Sequence, residues 1–135
     1  MKVIPIKASA GISGFESPAQ EYTELPLSLD DILIEHPSAT FIGRACGESM
    51  QGVGIFNDDI LVVDRHISPA NQDVIVANFN GEFVCKILDR PRRLLLSANE
   101  NVQAVPIHDS DIFTIEGVVI RSIRCHRPSY LLAHS

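Results

Sequence analysis

The chain holds three lysines, Lys2, Lys7 and Lys86, against eight arginines. Arginine keeps its proton at any useful pH, whereas a lysine stripped of water can lose its own. Lys86 is the one lysine outside the N-terminal stretch, and its type could do base chemistry. It follows the dipeptide Asn80-Gly81, which separates two apolar-rich runs, 73–79 and 82–88. Asn-Gly between such runs predicts a hairpin with a two-residue turn. That turn pairs Phe79 with Glu82, Ala77 with Val84 and Ile75 with Lys86. Side chains alternate faces along a strand, so Lys86 shares a face with Val84, Leu88, Ile75 and Ala77. Burial there penalises the ammonium and lowers its pKa. A fall from ~10.4 to near neutrality takes roughly 4–5 kcal/mol of differential desolvation. A neutral lysine amine is a competent general base. For the hairpin taken by itself, the plainer account is a strand lysine whose head reaches out to water.

A base needs a nucleophile. Of twelve serines, Ser49 stands apart because it lies in Gly47-Glu48-Ser49-Met50, just after a strand-like stretch ending near Cys46. Gly47 permits backbone angles closed to other residues. Such a turn can aim a hydroxyl outward and leave neighbouring amide N–H groups ready for an oxyanion. A turn serine capping its own backbone is the plainer account of this motif alone. Other chemistries find less support. Cys46, Cys85 and Cys125 are odd in number, widely spaced and lack a C-x-x-C pair. That pattern fits free, buried thiols in a reducing compartment better than disulfides or zinc. The five histidines are scattered without ligand spacing, so neither a metal site nor a cofactor is expected.

The elements that must position these residues are mostly strands. Residues 1–28 carry Pro5, Gly11, Gly14, Pro18 and Pro26 without a sustained period and read as an extended arm. Ser28 opens S-L-D-D, a capping-box pattern that predicts a short helix over 29–35, stopped by Pro37. Strands are then expected at 39–46, 60–64, 73–79, 82–88, 94–98 and 112–124. The loop 47–58, with three glycines, has room for a helical turn. The expectation is a mainly β domain over 29–135, with about seven short strands and one short helix behind a flexible arm.

At 135 residues and 45% apolar content the chain suffices for one core. Its net charge of −6 argues against a protein that grips DNA unaided. Two arginine clusters, Arg90/Arg92/Arg93 and Arg121/Arg124/Arg127, leave room for a local basic patch, though solvated strand ends account for both. No apolar run reaches the ~18 residues of a membrane span. The opening MKVIPIKASAG is too short and broken for a secretory signal. A cytoplasmic protein is expected.

Taken together, several stretches resemble the UmuD/LexA family of self-cleaving Ser/Lys peptidases. They are Gly47-Glu48-Ser49-Met50, Gly54-Ile55, the run Asp59 to Asp64, the run Asp73 to Ala77, and Asn80-Gly81-Glu82-Phe83 with Lys86. The 37-residue separation of Ser49 from Lys86 matches the family pattern. His36 to Thr40, Gly14-Phe15, Ser17-Pro18-Ala19 and Glu116 to Val119 point to the UmuD branch, and the likeness spans about residues 13–125. Two positions depart from the pattern, Asp58 and Gln72, each standing where the family carries a turn glycine. The arm before the cut is also short for the family.

The resemblance implies Ser49 as nucleophile, Lys86 as general base, and the backbone N–H groups of Glu48 and Ser49 as oxyanion hole. It further implies a LexA/UmuD C-terminal-domain-like fold. The cut falls between a small residue and glycine. The Gly-Phe-x-Ser-Pro-Ala register puts it at Ser13-Gly14, while Ala10-Gly11 stays open as the commoner kind of pair. The implied biology is the SOS response to DNA damage, in which a RecA filament on single-stranded DNA stimulates cleavage. The trimmed homodimer, of charge −8 per chain once Lys2 and Lys7 are lost, then joins an error-prone UmuC-type translesion polymerase, without sequence-specific DNA binding of its own. Three other readings compete with this one. A C-terminal fragment of a LexA or phage-type repressor needs a helix-turn-helix domain before the cut, for which ~13 residues starting at Met1 are too few. A signal peptidase needs a membrane anchor. A non-catalytic polymerase accessory subunit with an idle dyad predicts no self-cleavage even in alkali.

Overall fold

The computed structural model describes residues 28–128, which divide after Pro37 into two units. In the first, Ser28 caps helix α1 (Leu29–Leu33). Its hydroxyl accepts the Asp31 N–H at 3.1 Å, and the Asp31 carboxylate accepts the Ser28 N–H at 3.4 Å. The reciprocal pair is the capping box expected from S-L-D-D. Ile34 is already extended, so the helix stops two residues earlier than expected.

The second unit carries one seven-stranded antiparallel sheet. Its strands are β1 (Thr40–Arg44), β2 (Ile60–Asp64), β3 (Val74–Phe79), β4 (Glu82–Asp89), β5 (Leu94–Leu96), β6 (Val105–Pro106) and β7 (Phe113–Ile123). The spatial order is β1-β2-β7-β3-β4-β5-β6. The mainly β fold and the six strands located in the sequence are therefore present. The seventh is β6, only two residues long and too short to mark a period, and it is recruited by pairing with β5. Strand β7, at eleven residues, is not short. It serves β2 along one edge and β3 along the other, with a register shift against each. Such shifts insert an extra residue and sharpen the strand's twist.

Both faces of the sheet are covered. On one, Leu61, Val63 and Val76 pack with Ala45, Met50 and Ile55 from the loop after β1. On the other, Ile75, Ala77, Leu88, Leu95 and Val118 form a second cluster. Successive residues Ile75, Val76 and Ala77 thus feed opposite clusters, the period-two alternation of a strand buried on both sides. Ile75, Val62, Val63 and Leu95 are fully buried, and each such side chain contributes roughly 1.5–3 kcal/mol.

The turns explain the two departures from the family pattern. Asp58 and Gln72 both sit at φ +71°, the left-handed region that glycine enters without cost. Each holds the geometry its turn requires. Asp58 does so while its carboxylate pairs with Arg44 at 3.0 Å, as a short polar side chain tolerates this region.

Candidate active site

The base candidate is placed by a short local hairpin. Asn80 and Gly81 lie at φ +52° and +91°, the doubly positive turn that matches the twist of paired strands. Phe79 faces Glu82, Ala77 faces Val84 and Ile75 faces Lys86, the register expected from the sequence. The tip is secured from outside: the Asn80 carboxamide accepts the Ile112 N–H at 2.9 Å and donates to Asp111 at 2.9 Å.

Lys86 is half-buried, and burial holds its pKa below the ordinary lysine value of 10.5. Its neighbour Cys85 does little to offset this. Burial pushes that thiol up to about 11, so it stays uncharged at neutral pH. The Lys86 ammonium donates to Ser97 Oγ at 2.8 Å.

The nucleophile candidate is placed by a loop whose contacts are distant in sequence. The loop closes where Ala45 and residues 58–59 exchange backbone hydrogen bonds, Ala45 N–H to the Asp59 carbonyl and Asp58 N–H to the Ala45 carbonyl, both at 2.8 Å. Gly47, at φ +92°, turns the chain, and its N–H is caught by the Asn57 side chain at 2.7 Å. Met50 and Ile55 are buried against the sheet, which leaves Ser49 at the edge of that cluster. The buried Asp59 carboxylate accepts the Phe56 N–H and takes two nitrogens of Arg124 at 3.0 Å. The Arg124 guanidinium holds this carboxyl below the usual range, and it also lies 4.1 Å from the Phe56 ring centre.

A third segment joins the two. Ala98 N–H donates to the Ser49 carbonyl at 2.7 Å, and the Gly52 N–H donates to the Ala98 carbonyl at 2.6 Å. Asn99 Nδ2 donates to the Glu48 carbonyl at 2.9 Å. The approach at Gly52 is close enough that a Cβ there would stand 2.6 Å from the Ala98 oxygen.

Ser49 and Lys86 line one cavity of about 420 Å3, together with Gly47, Met50, Val76 and Cys85. Phe83 stands at it, 70% exposed. Among the described residues, the side-chain hydrogen bond of Lys86 goes to Ser97 and not to Ser49. The carbonyls of Glu48 and Ser49 are engaged, whereas no acceptor among the described residues is bonded to their N–H groups. Ser13, Gly14, Ala10 and Gly11 lie outside the described residues.

Sequence reasoning missed Ser97 and Asn99. Ser97 comes within reach of Lys86 only through strand pairing. The β4–β5 register pairs Ile87 with Leu96 and Leu88 with Leu95, and one step further brings Lys86 opposite Ser97.

One expectation changes. Of the cysteines, all free, Cys46 and Cys125 are exposed and only Cys85 is partly buried, because the other two lie just beyond the ends of β1 and β7. The arginine clusters spend much of their charge locally. Arg92 pairs with Asp89 at 2.6 Å, Arg93 with Asp109 at 2.7 Å and Arg124 with Asp59, while Arg90 caps the Pro69 carbonyl. No helix among the described residues is long and apolar enough to cross a membrane.

Comparison with known proteins places this geometry in context. A family described as Peptidase S24-like matches residues 2–120. Protein ImpA of Escherichia coli is 40% identical over 122 residues, covering 90% of this chain and 83% of its own length. Protein MucA of Escherichia coli is 37% identical over 125 residues, 91% of this chain and 86% of MucA. A LexA repressor of Vibrio vulnificus is 34% identical over 109 residues, 78% of this chain but 52% of the repressor.

Proposed function

The chain belongs to the Peptidase S24-like family, and from that premise we propose that it is a self-cleaving serine peptidase with Ser49 as nucleophile and Lys86 as base. The observation that carries the reading is the shared cavity, into which one strand brings a lysine disfavoured as an ammonium and one loop brings a serine.

The chemistry runs in two halves. Neutral Lys86 takes the Ser49 hydroxyl proton as Ser49 Oγ bonds to the carbonyl carbon of Ser13. The N–H groups of Glu48 and Ser49 receive the oxyanion. Lys86 returns its proton to the Gly14 nitrogen, the C–N bond breaks, and residues 1–13 remain as an ester on Ser49. A water then gives a proton to Lys86 and attacks the ester, and Lys86 restores the Ser49 hydroxyl as the acid leaves. This is triad logic with lysine in the role of histidine. Ala10-Gly11 is the alternative bond.

Docking of the arm excludes water and so favours the neutral amine. A partner that stabilises the docked arm therefore switches cleavage on by population shift. In the SOS setting that partner is the RecA filament on single-stranded DNA. The trimmed chain then acts as a homodimer with an error-prone UmuC-type polymerase. The likeness to ImpA and MucA across most of their lengths favours this over a repressor fragment.

The test is intact-mass measurement after incubation at neutral pH, at about pH 10, and at neutral pH with RecA filament, alongside Ser49→Ala and Lys86→Ala. We expect loss of residues 1–13 in alkali and with the filament, and no loss in either variant, a drop of at least 1,000-fold. Loss of residues 1–10 moves the cut to Ala10-Gly11. A chain that stays whole throughout sinks the peptidase reading and leaves the accessory-subunit one standing.

A further inference from the structure

The mechanism above leaves one polar contact of the base unused. Lys86 Nζ donates to Ser97 Oγ at 2.8 Å in a partly buried setting. Ser97 is not among the residues that line the cavity shared by Ser49 and Lys86. On the Ser49–Lys86 reading, a hydroxyl outside that lining is not placed to act as a second nucleophile.

The position has a structural origin. Ser97 directly follows β5, in line with the β4–β5 register that brings it across from Lys86. The next two residues grip the nucleophile's turn, Ala98 through the Ser49 carbonyl and Asn99 through the Glu48 carbonyl. Three consecutive residues thus touch the base and the turn of the nucleophile.

We infer that Ser97 is a positioning residue for Lys86, and that the segment 97–99 sets the spacing between base and nucleophile. The inference rests on the Ser49–Lys86 reading and deepens it. With one N–H held by Ser97, the swing of the amine is restricted, and on the Ser49–Lys86 reading its lone pair is left for the Ser49 proton. The bond has a second consequence. An ammonium donates more strongly than an amine, so the Ser97 oxygen favours the charged form and partly opposes burial. Removing it leaves Lys86 easier to deprotonate but less well aimed.

That pair of effects is what distinguishes positioning from support. The experiment follows first-order self-cleavage of the full chain against pH for the wild type, Ser97→Ala and Ser97→Thr. In parallel, 13Cε NMR follows Lys86 in full-length chains that also carry Ser49→Ala, with the Lys86 signal assigned by its loss in Lys86→Met. For Ser97→Ala we expect the alkaline plateau rate to fall about tenfold while both the rate midpoint and the Lys86 titration move to lower pH. Ser97→Thr, which keeps the hydroxyl, restores both toward wild type. A damaged, opened site instead hydrates Lys86 and moves its titration upward, and that outcome overturns the inference. A plateau within twofold of wild type with an unmoved titration overturns it too. A wild-type chain that never cuts defeats the peptidase reading and the positioning role with it. A cutting chain with an indifferent Ser97 defeats the second alone.

Discussion

The hairpin of β3 and β4 delivers its catalytic candidate through neighbours close in sequence, and the loop 45–59 delivers its own through neighbours far away. Lys86 is set by pairing across a two-residue turn, and its polar partner lies 11 residues on. The turn around Ser49 is held by Asn99, 51 residues from Glu48, and the base of its loop by Arg124, 65 residues from Asp59. A base on a strand inherits the strand's rigidity. A nucleophile on a loop is only as well placed as the contacts that bind the loop down. In this molecule the placing of the Ser49 turn rests on tertiary bonds.

That contrast can be broken from either side. The largest effect is expected at Gly52, where a side chain collides with the Ala98 carbonyl and displaces the segment that holds the Ser49 turn. Misplacement by about 1 Å can cost 100-fold in rate. We therefore expect Gly52→Ala to slow self-cleavage roughly 100-fold while leaving the hairpin ordered. Rates from intact mass, with far-ultraviolet circular dichroism as the control, check this. A rate within threefold of wild type would show that the loop does not need its distant clamp.

A smaller, opposite effect is expected at the hairpin tip. Asn80→Ala removes a residue suited to positive φ and its bonds to Asp111 and Ile112. A loss of about 1–2 kcal/mol in urea unfolding is expected, with the cleavage rate of folded molecules nearly unchanged. If the rate falls with stability, the two regions are less independent than their contacts indicate.

The smallest effect tests the cost of placing Lys86 on an apolar strand. Burial lowers the Lys86 pKa. The unfolded chain thus holds more protons than the folded one between the folded value and 10.5, and stability rises with pH across that window. Below the window the half-buried charge is a cost that its hydrogen bond to Ser97 offsets only in part. Lys86→Met is expected to gain up to about 1 kcal/mol at neutral pH, a gain that shrinks as pH climbs toward 10.5. Cys85 titrates in both proteins and largely drops out of the difference. Unfolding midpoints at several pH values read this directly. A gain that is flat with pH would mean the benefit is packing and not charge.

Much of this was legible beforehand where the physics is local. Asn80-Gly81 specified a turn, the turn specified a register, and the register put Lys86 opposite Ile75. The capping box at Ser28 and the strand at 60–64 were legible for the same reason. The loop was less so. Gly47 announced an unusual angle, but no spacing in the chain shows that Asn57 closes on Gly47 or that Ala98 donates to Ser49. Strand β6 escaped because two residues have no period, and the exposure of Cys46 and Cys125 escaped because strand ends are decided by packing.

By itself, then, the sequence determined which residues have the right chemistry. One lysine outside the arm, on an apolar strand, and one serine after a glycine turn follow from side-chain type and short-range periodicity. Whether the two meet was decided by the tertiary structure. Among the described residues, the hydrogen bonds that tie the Ser49 turn to the neighbourhood of Lys86 run through residues 97–99, which belong to neither the loop nor the strand. Position in that segment depends on a register carried from β4 to β5 and on a loop folded back over the sheet. Both are non-local outcomes of burying two apolar faces at once, and a linear pattern does not encode them.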